Sequence, residues 1–145
     1  MIITVKESAM IYTHKVHYYE TDKMGITHHS NYIRWMEEAR VAYLDSIDLS
    51  YAKLEESGII SPVTSIECNY KKTSTFDDVI SIKVYVTEFK GVKLKLKYEM
   101  TNEDGEVCVI ATSMHCFLNA EGSLINIRKE YPDIYDILSN EVERQ

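Results

Sequence analysis

Apolar and polar residues alternate with a period of two along two adjacent stretches of the chain. Ile80, Ile82, Val84 and Val86 stand against Ser81, Lys83, Tyr85 and Thr87, and Val92, Leu94, Leu96 and Tyr98 stand against Lys93, Lys95, Lys97 and Glu99. Side chains on a strand point to opposite faces in turn, so this pattern predicts strands over 79–89 and 92–101 with one buried face each. Lys90-Gly91 supplies the turn between them, and the lysines read as the solvated face. Asn102-Glu103-Asp104-Gly105 predicts a hairpin loop, and 106–118 a last long strand that Asn119-Ala120-Glu121-Gly122 closes. Upstream, Met10, Tyr12, His14, Val16 and Tyr18 share one phase and predict a first strand over about 12–19. Ile59 to Tyr70 is also strand-like, with Pro62 near its start, where a missing N–H is tolerated.

Between these strands the period lengthens. Tyr32, Met36, Ala39, Tyr43 and Ile47 recur at helical spacing, and Ile33, Trp35, Ala42 and Leu44 widen the stripe. A helix is expected from Ser30 or Asn31 to about Ile47, with Ser30 as its N-cap. Its apolar stripe is broader than a surface helix needs, so other structure is expected around most of it. A short helix over Tyr51 to Glu56 follows, capped by Ser50 and ended by Gly58. The tail from Arg128 to Gln145 carries Pro132, Ile134, Tyr135, Ile137 and Leu138 and reads as a short helix with a frayed acidic end. One strand, one long helix and four antiparallel strands make an α+β layer, a sheet of about five strands wrapped around one central helix. With no internal repeat and no linker, residues 1–145 read as a single domain, with a core over about 12–118 and a strand and helix extension over 123–145.

Composition narrows the classes. At 145 residues, 45% hydrophobic and 27% charged, the chain is long enough for one well-filled core. A net charge of −7 argues against broad binding to nucleic-acid backbones. The three cysteines, Cys68, Cys108 and Cys116, are odd in number and widely spaced, so reduced thiols are expected rather than a disulfide or zinc framework. Met1 to Glu7 has no basic region ahead of an apolar run, and no window reaches the length of a membrane span. The cytoplasm is therefore the expected compartment.

Candidate chemistry gathers between Asp22 and Arg40. The run Asp22-Lys23-Met24-Gly25-Ile26-Thr27-His28-His29-Ser30-Asn31-Tyr32 feeds a polar loop with one carboxylate, one glycine and two histidines into the long helix. A helix start offers free N–H groups and partial positive charge. A carboxylate facing that pole could attack a carbonyl directly or act as base on a water. The simpler alternative is that Asp22 only closes an Asx-type turn before Gly25. Two adjacent histidines without further ligands at metal spacing make a weak metal signal, so neither metal nor cofactor is expected. Glu37 and Glu38 read as helix charge pairs with Arg34 and Arg40.

The same residues carry a family likeness. Tyr18-Tyr19-Glu20-Thr21-Asp22-x-x-Gly25-Ile26-Thr27-His28-His29-x-Asn31-Tyr32, followed by Arg34-x-x-Glu37-x-Ala39-Arg40, resembles the 4-hydroxybenzoyl-CoA thioesterase branch of the hotdog fold, and within it the Tol–Pal-associated bacterial acyl-CoA thioesterases. The likeness extends to Pro62-Val63, Tyr70, Asp77-Asp78 and the Gly91 turn. It implies a sheet wrapped around the helix, a homodimer or homotetramer with active sites at the dimer interface, and cleavage of acyl-CoA to acid and CoA. It further implies Asp22 as nucleophile or base, His29 and Tyr18 beside it, and an oxyanion hole from the backbone N–H groups of His29 and Ser30. Gly25, Asn31, Tyr32, Thr73 and Ser74 are then expected near substrate, and Lys71, Lys72, Lys90 and Lys93 near the CoA phosphates. The chain departs from the family at Thr73-Ser74, where Pro-Ala is usual, and at Thr75, where a basic residue is common. A non-catalytic acyl-CoA-binding or regulatory module, and a thioesterase acting on acyl-carrier protein, are the alternatives.

Overall fold

The computed structural model describes residues 10–142. The expectations for Met1 to Glu7 and for the last residues of the acidic tail lie outside that range. Five strands form one antiparallel sheet in the spatial order β1-β3-β4-β5-β2: β1 (Ile11–Lys15), β2 (Val63–Tyr70), β3 (Val79–Phe89), β4 (Leu94–Thr101) and β5 (Val107–His115). Helix α1 (Ser30–Ser46) crosses one face, α2 (Tyr51–Glu56) follows it, and α3 (Ile127–Glu130) leads into α4 (Pro132–Val142), which packs against β3.

The alternating residues of β3 and β4 dictate which face is covered. Ile80, Ile82, Val84 and Val86 from β3, with Leu94, Leu96, Tyr98 and Met100 from β4, are buried in one cluster with Trp35, Met36, Ala39 and Tyr43 of α1. Each large side chain so enclosed contributes about 1.5–3 kcal/mol. A one-residue slip in the β3–β4 register would turn every one of these groups outward, so the pattern fixes the pairing. The C-terminal segment completes the core: Ile127 and Leu138 are buried, and Tyr43 Oη donates to Glu141 Oε1 at 2.6 Å. Pro132 stands at the first position of α4, where its missing N–H costs nothing. Gly91 at the β3–β4 turn has φ +114°, and a Cβ there would come within 2.9 Å of Arg128 and Asn126, so glycine is required for the turn to pass under α3.

Several expected boundaries shift. The first strand ends at Lys15, and Tyr18–Glu20 forms a single 3-10 turn instead. β2 begins at Val63; before it, Ile60 makes only an isolated bridge to Leu118. Ser50 caps α2 as expected, accepting from the Lys53 N–H at 3.2 Å. Ser30 does not cap α1: it is the first helical residue, and its hydroxyl pairs with His28 Nδ1 at 2.8 Å. Nor does this protomer sheathe α1 on most sides, because Ile33 and Val41 are 40% and 39% exposed. The expected helix pairs of Glu37 and Glu38 with Arg34 and Arg40 are absent among the described residues; Glu38 faces His14 and Tyr12 instead. All three cysteines are free, with Cys108 buried and the others half-buried. Lys83 and Lys93 are exposed as expected, whereas Lys95 and Lys97 are half-buried.

β2 is an edge strand of eight residues with almost every side chain exposed, Val63, Ile66 and Tyr70 among them. Its outer N–H and C=O groups have no partner strand among the described residues. Long open edges of this kind are normally covered or blunted.

Candidate active site

The loop ahead of α1 is held by its own backbone and by one buried carboxylate. The Asp22 N–H donates to Ile26 O and the Gly25 N–H to Asp22 O, each at 2.9 Å. Gly25 has φ +77°, a conformation that favours glycine. Asp22 Oδ1 accepts from the Met24 N–H at 2.8 Å, so the Asx turn does form, and it occupies that oxygen. Oδ2 makes no hydrogen bond among the described residues. Behind the loop, Glu20 is 4% exposed. Its Oε1 meets His14 Nε2 and the His17 N–H, both at 2.8 Å, and its Oε2 accepts from Trp35 Nε1 at 2.7 Å. Burial pushes the Glu20 carboxyl up, but the His17 N–H, His14 and Trp35 together hold it below the ordinary carboxylate value. Its carbonyl accepts from the His28 N–H at 2.8 Å and Asn31 Nδ2 at 2.9 Å. Glu20 thus ties β1, the Asp22 loop and α1 together. His14, His17 and Glu20 also bring ligand-type atoms within 4.8 Å of one another, but both Glu20 oxygens are already committed to this clamp.

The connection after β2 grips the same loop from the other side. The Thr27 N–H donates to Ser74 O at 2.8 Å, the Thr75 hydroxyl donates to Gly25 O at 2.7 Å, and Ser74 Oγ joins Thr27 Oγ1 at 2.6 Å and Tyr32 Oη at 2.9 Å. Between the two grips lies a cavity of about 250 Å³ lined by Asp22, Met24, Thr27, His29, Tyr32, Tyr70 and the run Lys71-Lys72-Thr73. The start of α1 opens onto it. Of the first N–H groups, Asn31 and Tyr32 donate to His28 O and His29 O, and Ser30 reaches His28 Nδ1 only at 3.3 Å. The His29 N–H has no acceptor among the described residues. Asp22 and His29, the latter just ahead of the helix, therefore line one cavity, and a carboxylate beside a helix pole suits attack on a carbonyl with stabilisation of the oxyanion.

Comparison with known proteins then places the chain. A model of the thioesterase-like superfamily matches residues 16–136. The chain belongs to this family. The putative acyl-CoA thioesterase YneP of Bacillus subtilis is 35% identical over 82% of this chain and 87% of its own length. A putative esterase of Aquifex aeolicus is 35% identical over 86% of this chain and 95% of its own. Among solved structures, a DHNA-CoA thioesterase from Staphylococcus aureus superposes with a TM-score of 0.85 at 34% identity, covering 90% of this chain and 88% of that one. The five-stranded antiparallel sheet with its crossing helix is the hotdog arrangement of these thioesterases.

Against this thioesterase-like frame, the expected site residues divide. Asp22, His29, Tyr32 and Thr73, with Lys71 and Lys72, come together around the cavity. Gly25 shapes the loop without lining it. Asn31 spends its amide on Glu20 O and His28 O, which holds the loop, and it is not among the lining residues. Ser74, expected near substrate, is 2% exposed and its hydroxyl is consumed by Thr27 and Tyr32. Tyr18 is 76% exposed because the 3-10 turn swings it outward against Phe76, ring centroids 5.7 Å apart, and it does not line the cavity. Lys90 and Lys93 sit beyond the far end of β3, whereas the loop lies by its beginning, where Val16 and Asp78 meet. Lys72 is paired with Glu106. The sequence reading missed Tyr70 as a site residue, although it ends β2 and packs on both His29 and Tyr32, at 6.3 and 5.5 Å between ring centroids. An aromatic at a strand end just before two lysines was the available signal. The Glu20–Trp35 clamp had no comparable signal, since it joins residues fifteen apart through a turn that periodicity does not reveal.

Proposed function

We propose that this chain hydrolyses acyl-CoA thioesters to free acid and CoA, with Asp22 as nucleophile or general base and the start of α1 as oxyanion hole. The observation that carries the reading is the shared cavity: Asp22, whose Oδ2 makes no hydrogen bond among the described residues, and His29, whose N–H has no acceptor among them, both line it. In one route the Asp22 oxygen adds to the thioester carbonyl, the C–S bond breaks, thiolate leaves and water hydrolyses the resulting anhydride. In the other, Asp22 takes a proton from water, the hydroxide adds, the C–S bond breaks, and the leaving thiolate recovers the proton from Asp22. Both pass through an oxyanion, for which each preorganised donor is worth about 2.7–4 kcal/mol. The names borne by YneP and by the Staphylococcus aureus enzyme support the thioester class.

The functional unit in this reading is a homodimer or homotetramer acting in the cytoplasm on a small-molecule substrate, with no metal or cofactor. The open outer edge of β2 and the bare Ile33–Val41 side of α1 support assembly, because both are surfaces a second copy would cover. No described helix is long and apolar enough to cross a membrane. Lys71 and Lys72 would meet CoA phosphates at the cavity mouth, while Lys90 and Lys93 would serve only the site of a neighbouring protomer.

A panel of short-chain, long-chain and aromatic CoA esters, with the same acyl groups on acyl-carrier protein, followed by release of free thiol, tests the proposal. Turnover of at least one CoA ester is expected. Tight binding of CoA esters without thiol release would replace catalysis by a binding module, and release from acyl-carrier protein alone would replace the substrate class.

A further inference from the structure

A buried charge lies away from the Asp22 cavity. Arg40 is 6% exposed, yet no carboxylate among the described residues lies within ion-pair distance of it. Its Nε donates to Tyr51 Oη at 3.0 Å and its Nη1 to Tyr98 Oη at 3.1 Å, both phenol hydroxyls rather than carboxylates. No acceptor among the described residues meets Nη2. A buried guanidinium stays charged and is costly unless an anion compensates it. Its charge is felt nearby: burial, and then the Arg40 cation, push the His115 imidazole down to about 4.

This cation borders a second cavity of about 300 Å³, formed by α1, α2 and the segment entering β2. Leu54, Ile59, Ile60 and Pro62 give it apolar walls, Tyr51 adds a phenol, and it shares no lining residue with the Asp22 cavity. Glu37 and Glu55 also line it, but both are exposed, where water screens their charge. A lining cation with one phenol and aliphatic walls is complementary to one kind of small molecule: a carboxylate on a compact apolar body. The volume is at the lower end for ligand sites and suits an acid of about benzoate size. Arg40 lies ten residues along α1 from Ser30, roughly 15 Å from the helix pole.

We infer that the Arg40 cavity is a second ligand site that binds small apolar carboxylic acids as their anions, separately from the Asp22 cavity. The site does not depend on the thioesterase reading, since its recognition chemistry is complete in Arg40, Tyr51 and the apolar walls.

Calorimetric titration of the full chain with benzoate, and with benzamide as its neutral counterpart, tests this. Benzoate is expected to bind one per chain and at least about tenfold more tightly than benzamide. Arg40→Met should abolish that preference. Ile60→Trp, which plugs the cavity mouth and leaves the guanidinium in place, should weaken benzoate to a similar degree, so a folding defect at Arg40 cannot by itself decide the outcome. Equal affinity for the two probes, no benzoate binding at millimolar concentration, or benzoate binding that survives both substitutions would overturn the inference. So would a wild-type protein that ignores benzoate while Arg40→Met alters its mass in sedimentation, because the missing anion would then be a side chain of a second copy.

Discussion

Acidification should weaken this fold through His115 before it protonates the carboxylates. The ring is 2% exposed at the end of β5. Its Nε2 lies 2.7 Å from Ser113 Oγ, which lies 2.7 Å from Tyr98 Oη, which accepts from Arg40 Nη1 at 3.1 Å. Arginine can only donate, so the chain is satisfied in one direction, with the Tyr98 hydroxyl donating to Ser113 and the Ser113 hydroxyl donating to a neutral imidazole. Protonating Nε2 would reverse that order and place a second cation near Arg40. Burial first, and the Arg40 charge second, hold the His115 pKa down to about 4 against an ordinary 6.5. Above 6.5 the ring is neutral folded and unfolded, and contributes no pH dependence. As pH falls from 6.5 towards about 4, the unfolded chain takes a proton that the folded one refuses, and stability drops by about 3 kcal/mol before levelling off. Urea unfolding of wild type and His115→Gln across this range measures it, since glutamine can still accept from Ser113 but cannot titrate. The wild type should lose about 3 kcal/mol more than the variant at unchanged m-value. Parallel stability curves for the two proteins would refute the reasoning.

Other perturbations address the clamp and the core. Trp35→Phe removes the donor to Glu20 Oε2 and should cost about 1–3 kcal/mol in urea unfolding. Because the Glu20 pKa is lowered, its stabilisation is present above its ordinary value of 4.5 and is lost as pH falls through its folded pKa; the pH dependence of Glu20→Gln stability should lack that loss. Ser74→Ala leaves the buried Tyr32 hydroxyl without its partner and should lower stability by about 1–3 kcal/mol. Met100→Ala opens a cavity in the core, with an expected loss of about 2–5 kcal/mol and a lower midpoint in thermal unfolding.

What could be read from the residues follows the physics of each element. β3 and β4 have one buried face each, so Ile80 to Val86 and Leu94 to Met100 announce themselves by alternation. β2 has no buried face in this protomer, so nothing in Val63 to Tyr70 needed to alternate, and only its length and Pro62 were informative. Tyr18 shares a phase with Val16, yet the chain leaves the sheet at Lys15 because Glu20 draws the segment into a turn against His14 and Trp35. Ser30 has the right side chain for a cap, but His28 takes its hydroxyl first. Asp22, Gly25 and His29 were legible because loop, glycine and helix start are local in sequence. Arg40 was not: a charged residue on a helix reads as surface, and its partner Tyr98 comes from 58 residues away. The family likeness puts Ser74 near substrate, whereas in this chain its hydroxyl is spent on Thr27 and Tyr32.

The role of Asp22 is tested most directly by the Asn variant. Asparagine keeps an oxygen for the Met24 N–H, so the turn and the fold should survive, as unfolding would report. Release of CoA thiol from the best substrate of the panel should then fall by at least about 10²–10⁴-fold. A folded Asp22→Asn protein that turns over at close to the wild-type rate would contradict the assignment of the carboxylate, and with it the reading of the cavity as a thioesterase site.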